Sequence, residues 1–599
     1  MNAARKGTYA TCRLATQTLL VAACVVLVLE LPGRGGLAAV LDWPLNQPSS
    51  ALLNLWLSTA VLVMAVGLCG RPGLGLGLGV FALSLFGAIN FAKLTVLKTP
   101  FFAWDILYLR QMYALAEVIP LSAGTLVAGS LILLTSGYLA WRSFRYGTRL
   151  GLFYRTALVC LAVVGFAWFF SSRGPLYLLR VENIVWNQDV NYETHGFLLA
   201  FSMNINPLLI NQPETYDSDV VQRIIVHNEI ISENYNGEGR PVSLIIFMSE
   251  SFSDLSGVTI LSPENPLENF QRLAATYPSF RLVSPTVSGG TSLVEFEVLT
   301  GLFNAFLPPG AIPFDHYIRR PVPSLVSFLR DKGYQTVAIH PFHSWYWNRE
   351  NVYPHLGFQR FIALEHFQDA YKRGPFVSDE SLVDKIIEVI DGATGPYCIH
   401  AVSMQNHGPY FPGRLGDELV VDGDFPEALR LELGSYLTGV MDSDRQLARL
   451  LQFLERRDEQ VIVLFFGDHQ PSLGTELARL SSLAEPVSDL LAIDYKLHQT
   501  PGLLWANKAG LLDPRDIPEQ LSPAYLPALV LHQMGHALPG NLFFLHRNLQ
   551  AYPVIHRKFV LDREGNIASF DNFKSDTLFD ELNLLQYDIL FGEGFSYSM

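Results

Sequence analysis

The chain has few charged residues and few cysteines. Only 16% of its 599 residues are Asp, Glu, Lys or Arg, whereas a soluble globular protein carries about 25%. The hydrophobic fraction of 49% and the mean hydropathy of +0.23 predict that part of the chain lies in lipid. Of the 5 cysteines, only Cys398 lies beyond residue 180, so the later part of the chain cannot form an internal disulfide.

A basic surface is also missing from most of the chain. The first 180 residues hold 14 Lys and Arg against 4 Asp and Glu, and the remainder holds 28 against 52. Because nucleic-acid binding needs a basic surface, the acidic remainder argues against a nucleic-acid partner. The same acidity would repel a strongly anionic substrate unless its charge is neutralised locally.

Five apolar runs are long enough to cross a bilayer, which takes about 20 residues. They are approximately Ala15–Leu31, Ala51–Gly70, Gly73–Ala92, Leu121–Trp141 and Thr156–Phe170. Cations concentrate in the loops that face the cytoplasm if the N-terminus is cytoplasmic. An odd number of spans then places everything after about residue 171 outside the cytoplasm. The spans contain almost no polar groups, which disfavours a transporter.

The later part alternates β-rich apolar runs with helical patterns, which is typical of an α/β sheet. The predicted strands are Val242–Met248, Thr336–Ile339, Tyr397–Val402 and Val461–Phe466. The predicted helices are Leu293–Leu302, Ser324–Asp331, Glu380–Ile390 and Glu427–Arg456. Such continuously apolar strands are buried on both faces, and ligands bind at their carboxyl ends.

These patterns divide the chain into four segments. We expect a five-span membrane domain at 1–171, a linker with interfacial helices at 172–239, an α/β domain at 240–550, and a C-terminal tail at 551–599. The sequence indicates no role for the tail.

Polar residues follow two of the predicted strands. Val242–Met248 leads to Glu250, and Val461–Phe466 leads to Asp468 and His469. Two carboxylates and an imidazole suit Mn²⁺ or Zn²⁺ better than Ca²⁺. The alternatives are a helix N-cap or turn for Asp468 and a surface position for His469.

A glycine-containing turn at 287–290 leads into the predicted helix Leu293–Leu302, with Thr291 at the helix start. Free backbone N–H groups and the positive dipole end would bind a phosphate there. They would also stabilise the alkoxide of a threonine nucleophile. The alternative is an N-cap threonine, with Glu295 supplying first-turn charge.

Two further clusters follow predicted strands. Residues 340–349 combine histidine, tryptophan and arginine, and residues 404–410 include His407. Arginine and histidine donate hydrogen bonds to phosphate oxygens, and tryptophan packs against a small alcohol such as glycerol. Core or membrane-surface packing is the alternative for the aromatic residues.

In combination, these motifs resemble the lipoteichoic acid synthase and phosphoglycerol transferase family of the alkaline phosphatase/sulfatase superfamily. The matching segments are, in chain order, 249–252, 288–292, 346–349, 406–410 and 467–469. The resemblance implies an α-helical membrane domain of five spans followed by an extracytoplasmic sulfatase-like α/β domain that carries the catalytic site. It also implies that the chain lies in a bacterial inner membrane.

The resemblance implies a single bound metal ion and a threonine nucleophile. The implied ligands are Glu250, Thr291, Asp468 and His469. The implied ion is Mn²⁺, with Mg²⁺ and Zn²⁺ as alternatives. Thr291 is also the implied nucleophile.

The resemblance further implies that glycerol phosphate is bound by His340, Trp347, Arg349 and His407. His343 lies close in sequence, which leaves open which of the two histidines contacts the substrate. Phosphatidylglycerol would be the donor, a glycan or glycerolphosphate polymer the acceptor, and no nucleotide would be needed. The alternatives are a phosphoethanolamine transferase or phosphodiesterase of the same superfamily, and a non-catalytic lipid-binding regulator.

Overall fold

The computed structural model describes residues 2–597 except 35, 98–99, 104, 106–136, 139–140, 142, 146–148, 172, 182, 185–187, 206–209, 211, 233–238, 256–263, 309, 423–425 and 474–489. The chain forms two compact units, Met1–Ile210 and Asn211–Met599. The boundary between them falls inside the segment that the sequence indicated as a linker.

The first unit is helical. Its described helices are α1 (Asn2–Arg34), α2 (Leu37–Asn46), α3 (Pro48–Cys69), α4 (Pro72–Leu97), α5 (Leu152–Phe169), α6 (Pro175–Leu178), α7 (Gln188–His195) and α8 (Phe197–Met203). Four of them, α1, α3, α4 and α5, are long and apolar enough to cross a membrane. The predicted span Leu121–Trp141 lies almost entirely outside the described residues.

Glycines let the helices of this unit approach closely. A Cβ atom placed on Gly79 of α4 would lie 2.7 Å from the Leu62 side chain of α3, and one on Gly67 of α3 would lie 2.8 Å from Val159 of α5. Small residues at such contacts bring helix backbones together in lipid. The glycine-rich start of α4 is therefore a packing surface.

The second unit is built on a mixed eight-stranded sheet in the order β10-β2-β9-β8-β1-β7-β3-β4. These strands are β1 (Ser243–Ser249), β2 (Ser279–Val283), β3 (Gln335–Ile339), β4 (Arg360–Ile362), β7 (Tyr397–Val402), β8 (Val461–Gly467), β9 (Gln499–Ala506) and β10 (Gln520–Leu521). A two-stranded sheet contains β5 (Lys372–Arg373) and β6 (Phe376–Val377), and a three-stranded sheet contains β11 (Val554–Ile555), β12 (Phe559–Leu561) and β13 (Ile567–Ser569). Strands β8, β1, β7 and β3 are parallel neighbours, whereas β9 runs antiparallel to β8 and β2.

The central strands are apolar throughout because both faces of the sheet are covered. Side chains alternate between faces along a strand, so Ile246 and Leu464 join one core cluster. Phe247 and Phe465, one residue further along, join the cluster on the opposite face. This burial explains why neither strand shows the polar alternation of a half-exposed sheet.

The described helices of the second unit cover the sheet and its edges. They are α9 (Ser218–Ser232), α10 (Glu268–Ala274), α11 (Thr291–Thr300), α12 (Pro313–His316), α13 (Leu325–Asp331), α14 (Arg349–His355), α15 (Asp379–Asp391), α16 (Glu427–Glu455), α17 (Leu490–Leu497), α18 (Leu526–Gln533), α19 (Gly540–Asn548) and α20 (Thr577–Leu590). The four strands and four helices expected from the sequence for the α/β domain are all present, with ends shifted by at most two residues.

The segment from residue 551 onward packs into this unit. Gln586 of α20 accepts a hydrogen bond from the backbone N–H of Phe303 at 2.8 Å and donates one to the Phe303 carbonyl at 3.0 Å. Arg557 donates to the Asn304 carbonyl at 2.7 Å. Because Phe303 and Asn304 lie in the loop after α11, which ends at Thr300, the C-terminal segment holds that loop in place.

Replacing Gln586 with leucine should therefore destabilise the second unit. The substitution leaves a buried N–H and a buried carbonyl of Phe303 without partners, at a cost of about 1–3 kcal/mol each. We expect a lower thermal unfolding midpoint for the full-length protein in detergent. Asp580→Asn, at an exposed site of the same helix, should change stability by less than about 0.5 kcal/mol. Equal midpoints for the two variants would contradict this role.

Candidate active site

The candidate site lies at the carboxyl edge of the parallel strands. Glu250 follows β1, His340 follows β3, Ser403 follows β7 and Asp468 follows β8. Since these four strands run in the same direction side by side, their carboxyl ends share one edge of the sheet. The topology thus brings together residues that are far apart in sequence.

Glu250, Asp468 and His469 form one compact group. One ligand atom from each lies within 4.8 Å of the other two, and in the described part of the chain no other group of three His, Cys, Asp or Glu residues meets that limit. The His469 Nε2 atom is 3.3 Å from Asp468 Oδ2 and 3.7 Å from Glu250 Oε1. All three side chains are buried.

Neighbouring groups orient the side chains of the candidate metal ligands Asp468 and His469 and leave one atom of each without a hydrogen-bond partner. Asp468 Oδ1 accepts hydrogen bonds from the backbone N–H groups of Ser251 and His469, both at 2.8 Å. His469 Nδ1 lies 2.9 Å from the carbonyl of Gln470, so Nδ1 carries the proton and Nε2 presents its lone pair. Asp468 Oδ2 and His469 Nε2 are buried without a hydrogen-bond partner.

A similar restraint acts on Glu250. The Ser251 hydroxyl donates to Oε1 at 2.8 Å, and the Glu250 N–H donates to the Ser403 hydroxyl at 2.8 Å. Gly467, just before Asp468, lies so close to the Phe252 carbonyl that any side chain there would collide with it. Close packing of the two strand ends thus sets the separation of the carboxylates.

The electrostatics of this group favour a cation. Burial and the nearby Glu250 carboxylate raise the pKa of Asp468 to about 7. Burial alone would lower the pKa of His469, but Asp468 and Glu250 outweigh that effect and raise it. The two unpartnered ligand atoms and the excess negative charge in a dry site fit a divalent ion with oxygen and nitrogen ligands.

Thr291 begins α11 beside this group. Its Oγ1 lies 3.4 Å from Glu250 Oε2, and the residue is buried. Gly290 precedes the helix with φ 85°, a left-handed conformation that favours glycine. The structure shows no side-chain cap at this helix start. The Leu293 N–H donates to the Gly290 carbonyl at 2.8 Å, which leaves the N–H groups of Thr291 and Ser292 for an anion.

The two candidate substrate-binding histidines follow strands β3 and β7. His340 Nδ1 lies 3.0 Å from the Val402 carbonyl, which fixes Nδ1 as the donor and leaves the buried, unpartnered Nε2 as an acceptor. Burial and Arg349 lower the pKa of His340 well below its usual value. His407 is half-buried, with Nδ1 2.8 Å from the Gly408 carbonyl. His343 instead stacks on Trp345, with ring centroids 5.2 Å apart.

Trp347 and Arg349 have different surroundings. Trp347 is half-buried at the turn before α14 and has a positive φ of 55°, which is uncommon for a large side chain. Arg349 is only 1% exposed and forms an ion pair with the buried Glu295, at 2.5 Å between Nη2 and Oε1. Arg349 therefore has a protein counter-ion before any phosphate arrives.

Sequence reasoning missed several residues that shape the site. Ser251 and Ser403 orient Glu250, and Glu295 binds Arg349. The serines flank strand ends, so their polarity was a usable signal. Glu295 is 54 residues from Arg349, and no local pattern predicts that pairing.

The sequence profile of the Sulfatase family matches residues 243–536. A protein of Rhizobium meliloti (strain 1021), named provisionally for cyclic beta-1,2-glucan modification, is 33% identical over 610 residues, covering 98% of this chain and 93% of that protein. The Streptococcus pyogenes phosphoglycerol transferase GacH, solved in complex with sn-glycerol-1-phosphate, superposes with a TM-score of 0.52 at 21% identity, covering 64% of this chain and 97% of its own. The integral membrane lipooligosaccharide phosphoethanolamine transferase A of Neisseria meningitidis gives a TM-score of 0.51 at 11% identity, covering 87% and 95%. These matches confirm that the chain has apolar N-terminal helices followed in sequence by a sulfatase-like α/β domain.

The raised pKa of Asp468 leads to a pH dependence of metal binding. Because the carboxyl must lose its proton to act as a ligand, we expect Mn²⁺ affinity to fall as the pH drops through about 7, by about tenfold per pH unit for one displaced proton. Titration calorimetry of chelator-treated, full-length protein on either side of that pH measures the slope.

The matched control is Asp379→Asn. Asp379 is also a buried carboxyl whose pKa burial raises to about 7, but it lies outside the ligand group. This variant should retain both the affinity and the slope, whereas Asp468→Asn should lose most of the affinity. A pH-independent affinity in the unaltered protein would contradict the assignment.

Proposed function

Because the chain belongs to the sulfatase family, we propose that it is a membrane-anchored phosphoglycerol transferase that uses phosphatidylglycerol as donor. The observation that carries the proposal is the Thr291 hydroxyl at the start of α11, 3.4 Å from a carboxylate of the buried Glu250, Asp468 and His469 group. A hydroxyl beside a metal-ligand cluster and free helix N–H groups suits nucleophilic attack on a phosphodiester.

The first half of the proposed reaction forms a covalent intermediate. Thr291 releases its hydroxyl proton to solvent, its Oγ attacks the phosphorus of phosphatidylglycerol, and the bond between phosphorus and the diacylglycerol oxygen breaks. The departing oxygen takes a proton, for which we propose the half-buried His407 as the donor, because an imidazole commonly acts as a general acid. The products of this half are diacylglycerol and a phosphoglyceryl-threonine.

The second half transfers the group to an acceptor. A hydroxyl of the acceptor attacks the same phosphorus and loses its proton, with His407 now acting as the base. The bond between phosphorus and Thr291 Oγ breaks, and Oγ takes up a proton from solvent, so the threonine hydroxyl is restored. No nucleotide is consumed, because one phosphodiester replaces another.

The proposed metal ligands are Glu250, Asp468 and His469 together with Thr291. Mn²⁺ is the proposed ion, and Mg²⁺ or Zn²⁺ are the alternatives. When bound, such an ion favours the deprotonated hydroxyl and offsets negative charge on phosphoryl oxygens. The protein residues hold the ligand atoms in place beforehand, through the hydrogen bonds of Ser251 and Gln470.

The proposed substrate contacts use the remaining site residues. Arg349 and the N-terminus of α11 bind the phosphoryl oxygens. His340, whose Nε2 is an acceptor, receives a hydrogen bond from a glycerol hydroxyl, and Trp347 packs on the glycerol carbons. The phosphoglycerol transferase identity of a fold neighbour supports this choice of donor group.

For the acceptor, we propose a hydroxyl of a glycan, with a glycerolphosphate polymer as the second candidate. Support for the glycan comes from the full-length relative named for cyclic beta-1,2-glucan modification. The distribution of cations around the apolar runs supports an extracytoplasmic site on a bacterial inner membrane. Donor lipid and periplasmic glycan meet at that surface.

The proposal is tested by intact mass after incubation with Mn²⁺ and phosphatidylglycerol. The unaltered protein should gain a phosphoglycerol adduct and release diacylglycerol, and adding cyclic β-1,2-glucan should discharge the adduct. Thr291→Ala should form no adduct and lose at least about 10³-fold in turnover, as expected when a nucleophile is removed.

Thr300→Ala is the matched control, since it removes a buried threonine hydroxyl from the other end of α11. It should form the adduct normally. An adduct on Thr291→Ala would contradict the nucleophile, and an adduct only with phosphatidylethanolamine would replace the donor with a phosphoethanolamine lipid.

A further inference from the structure

Glu295 lies one helical turn after Thr291 on α11, and its side chain is completely buried. Residues four apart lie on the same face of a helix, with Cβ atoms about 5–6 Å apart. Glu295 is therefore next to the candidate nucleophile, within the protein interior. This position differs from the alternative interpretation of the sequence, in which Glu295 supplies charge to the first turn of the helix.

The Glu295 carboxylate accepts hydrogen bonds from three side chains. Arg349 donates to Oε1 from Nε at 3.0 Å and from Nη2 at 2.5 Å. The Tyr353 hydroxyl donates to Oε2 at 2.5 Å, and His400 Nε2 lies 3.3 Å from the same oxygen. Burial alone would raise the pKa of Glu295, but Arg349 outweighs it and lowers the pKa to about 2.

This network determines where the Arg349 guanidinium lies. Arg349 and Tyr353 are also four residues apart, on α14. The Glu295 carboxylate therefore binds two side chains on one face of that helix. Arg349 Nη1 donates to the Tyr346 carbonyl at 3.3 Å. A guanidinium has five N–H donors, and the hydrogen bonds to Glu295 and Tyr346 use three of them. The Tyr353 side chain also interacts with the guanidinium, which leaves at least one donor for another acceptor.

We propose that Glu295 is a positioning residue that orients Arg349 toward the phosphoryl group attacked by Thr291. This inference rests on the proposed function, because it assigns the acceptor of the remaining Arg349 donors to the phosphodiester of the donor lipid. Glu295 itself does not touch substrate. Glu295 acts by fixing the plane of the Arg349 guanidinium. It also fixes the distance between that guanidinium and Thr291, which lies on the same helix as Glu295.

Glu295 also neutralises the buried charge of Arg349. A buried arginine without a counter-ion is strongly unfavourable, and Arg349 is only 1% exposed. Glu295 allows the positive charge to remain beside the nucleophile when no substrate is bound. A guanidinium fixed in advance avoids reorganisation during phosphoryl transfer.

The main test is Glu295→Gln in the full-length protein. We expect kcat/KM for phosphatidylglycerol to fall by about 10²-fold, the effect of a misplaced binding group. Mn²⁺ affinity should stay within twofold of the unaltered protein, because Glu295 does not touch the metal-ligand group. The affinity of the Mn²⁺-loaded protein for inorganic phosphate should fall at least fivefold.

Glu297→Gln is the matched control. Glu297 is a buried glutamate on the same helix, but its Oε1 accepts from the backbone N–H of Asn304 at 2.8 Å and it makes no contact with Arg349 among the described side-chain hydrogen bonds. Burial raises its pKa to about 7, so a neutral glutamine resembles its protonated form. This variant should keep kcat/KM and phosphate affinity.

Glu295→Asp covers the case in which Glu295→Gln fails to fold. Aspartate keeps the counter-charge but withdraws the carboxylate by one methylene, so the protein should fold while kcat/KM still falls at least tenfold. A double-mutant cycle with Arg349→Gln identifies the route of action. If Glu295 acts through Arg349, adding Glu295→Gln to Arg349→Gln should cost less than twofold more.

The outcomes that overturn the inference are distinct. Activity of Glu295→Asp at the unaltered level, additive losses in the cycle, or a parallel loss of Mn²⁺ affinity would each contradict a positioning role. If the unaltered protein transfers nothing from phosphatidylglycerol, the proposed donor fails. The phosphate-affinity comparison then still decides whether Glu295 orients Arg349.

Discussion

The close approach of two carboxylates at the ends of neighbouring strands is the constraint on which the site depends. β1 and β8 pair in parallel along their whole length, so Glu250 and Asp468 emerge side by side in a dry environment. Burial and the repulsion between the two carboxylates raise the pKa of Asp468. A sheet buried on both faces holds the two strands in place, so the carboxylates stay close together, as the proposed cation site requires.

Helix α11 connects this negatively charged site to a second buried charged group, the ion pair of Glu295 and Arg349. Thr291, at its start, faces Glu250, and Glu295, one turn later, faces Arg349. In the first group, two buried carboxylates share one neighbouring imidazole; in the second, a single carboxylate has an arginine counter-ion. The C-terminal segment holds the far end of α11 through Gln586 and Arg557, so the helix is fixed at both ends.

The sequence was sufficient to predict the strands and helices of the α/β domain, whereas the metal-ligand roles of Glu250, Asp468 and His469 stay predictions. Continuous apolar runs predicted β1 and β8, because only strands covered on both faces lack polar alternation, and Glu250 and Asp468 stood at their ends. Contacts between residues that are far apart in the sequence could not be predicted. Glu295 and Arg349 are 54 residues apart, and the contact of Gln586 with Phe303 spans 283. Such contacts depend on tertiary packing, which leaves no local periodicity.

The division of the site between rigid elements and loops bears on substrate choice. The ligand group and Thr291 sit at strand and helix ends that the core holds in place. His407 and Trp347 lie instead in turns after β7 and before α14, where side chains can differ without disturbing the sheet. The proposed metal-and-threonine centre would therefore be compatible with different head groups and acceptors. Under the proposed function, specificity for glycerol phosphate would depend on the His340–Arg349 segment and the loop that contains His407.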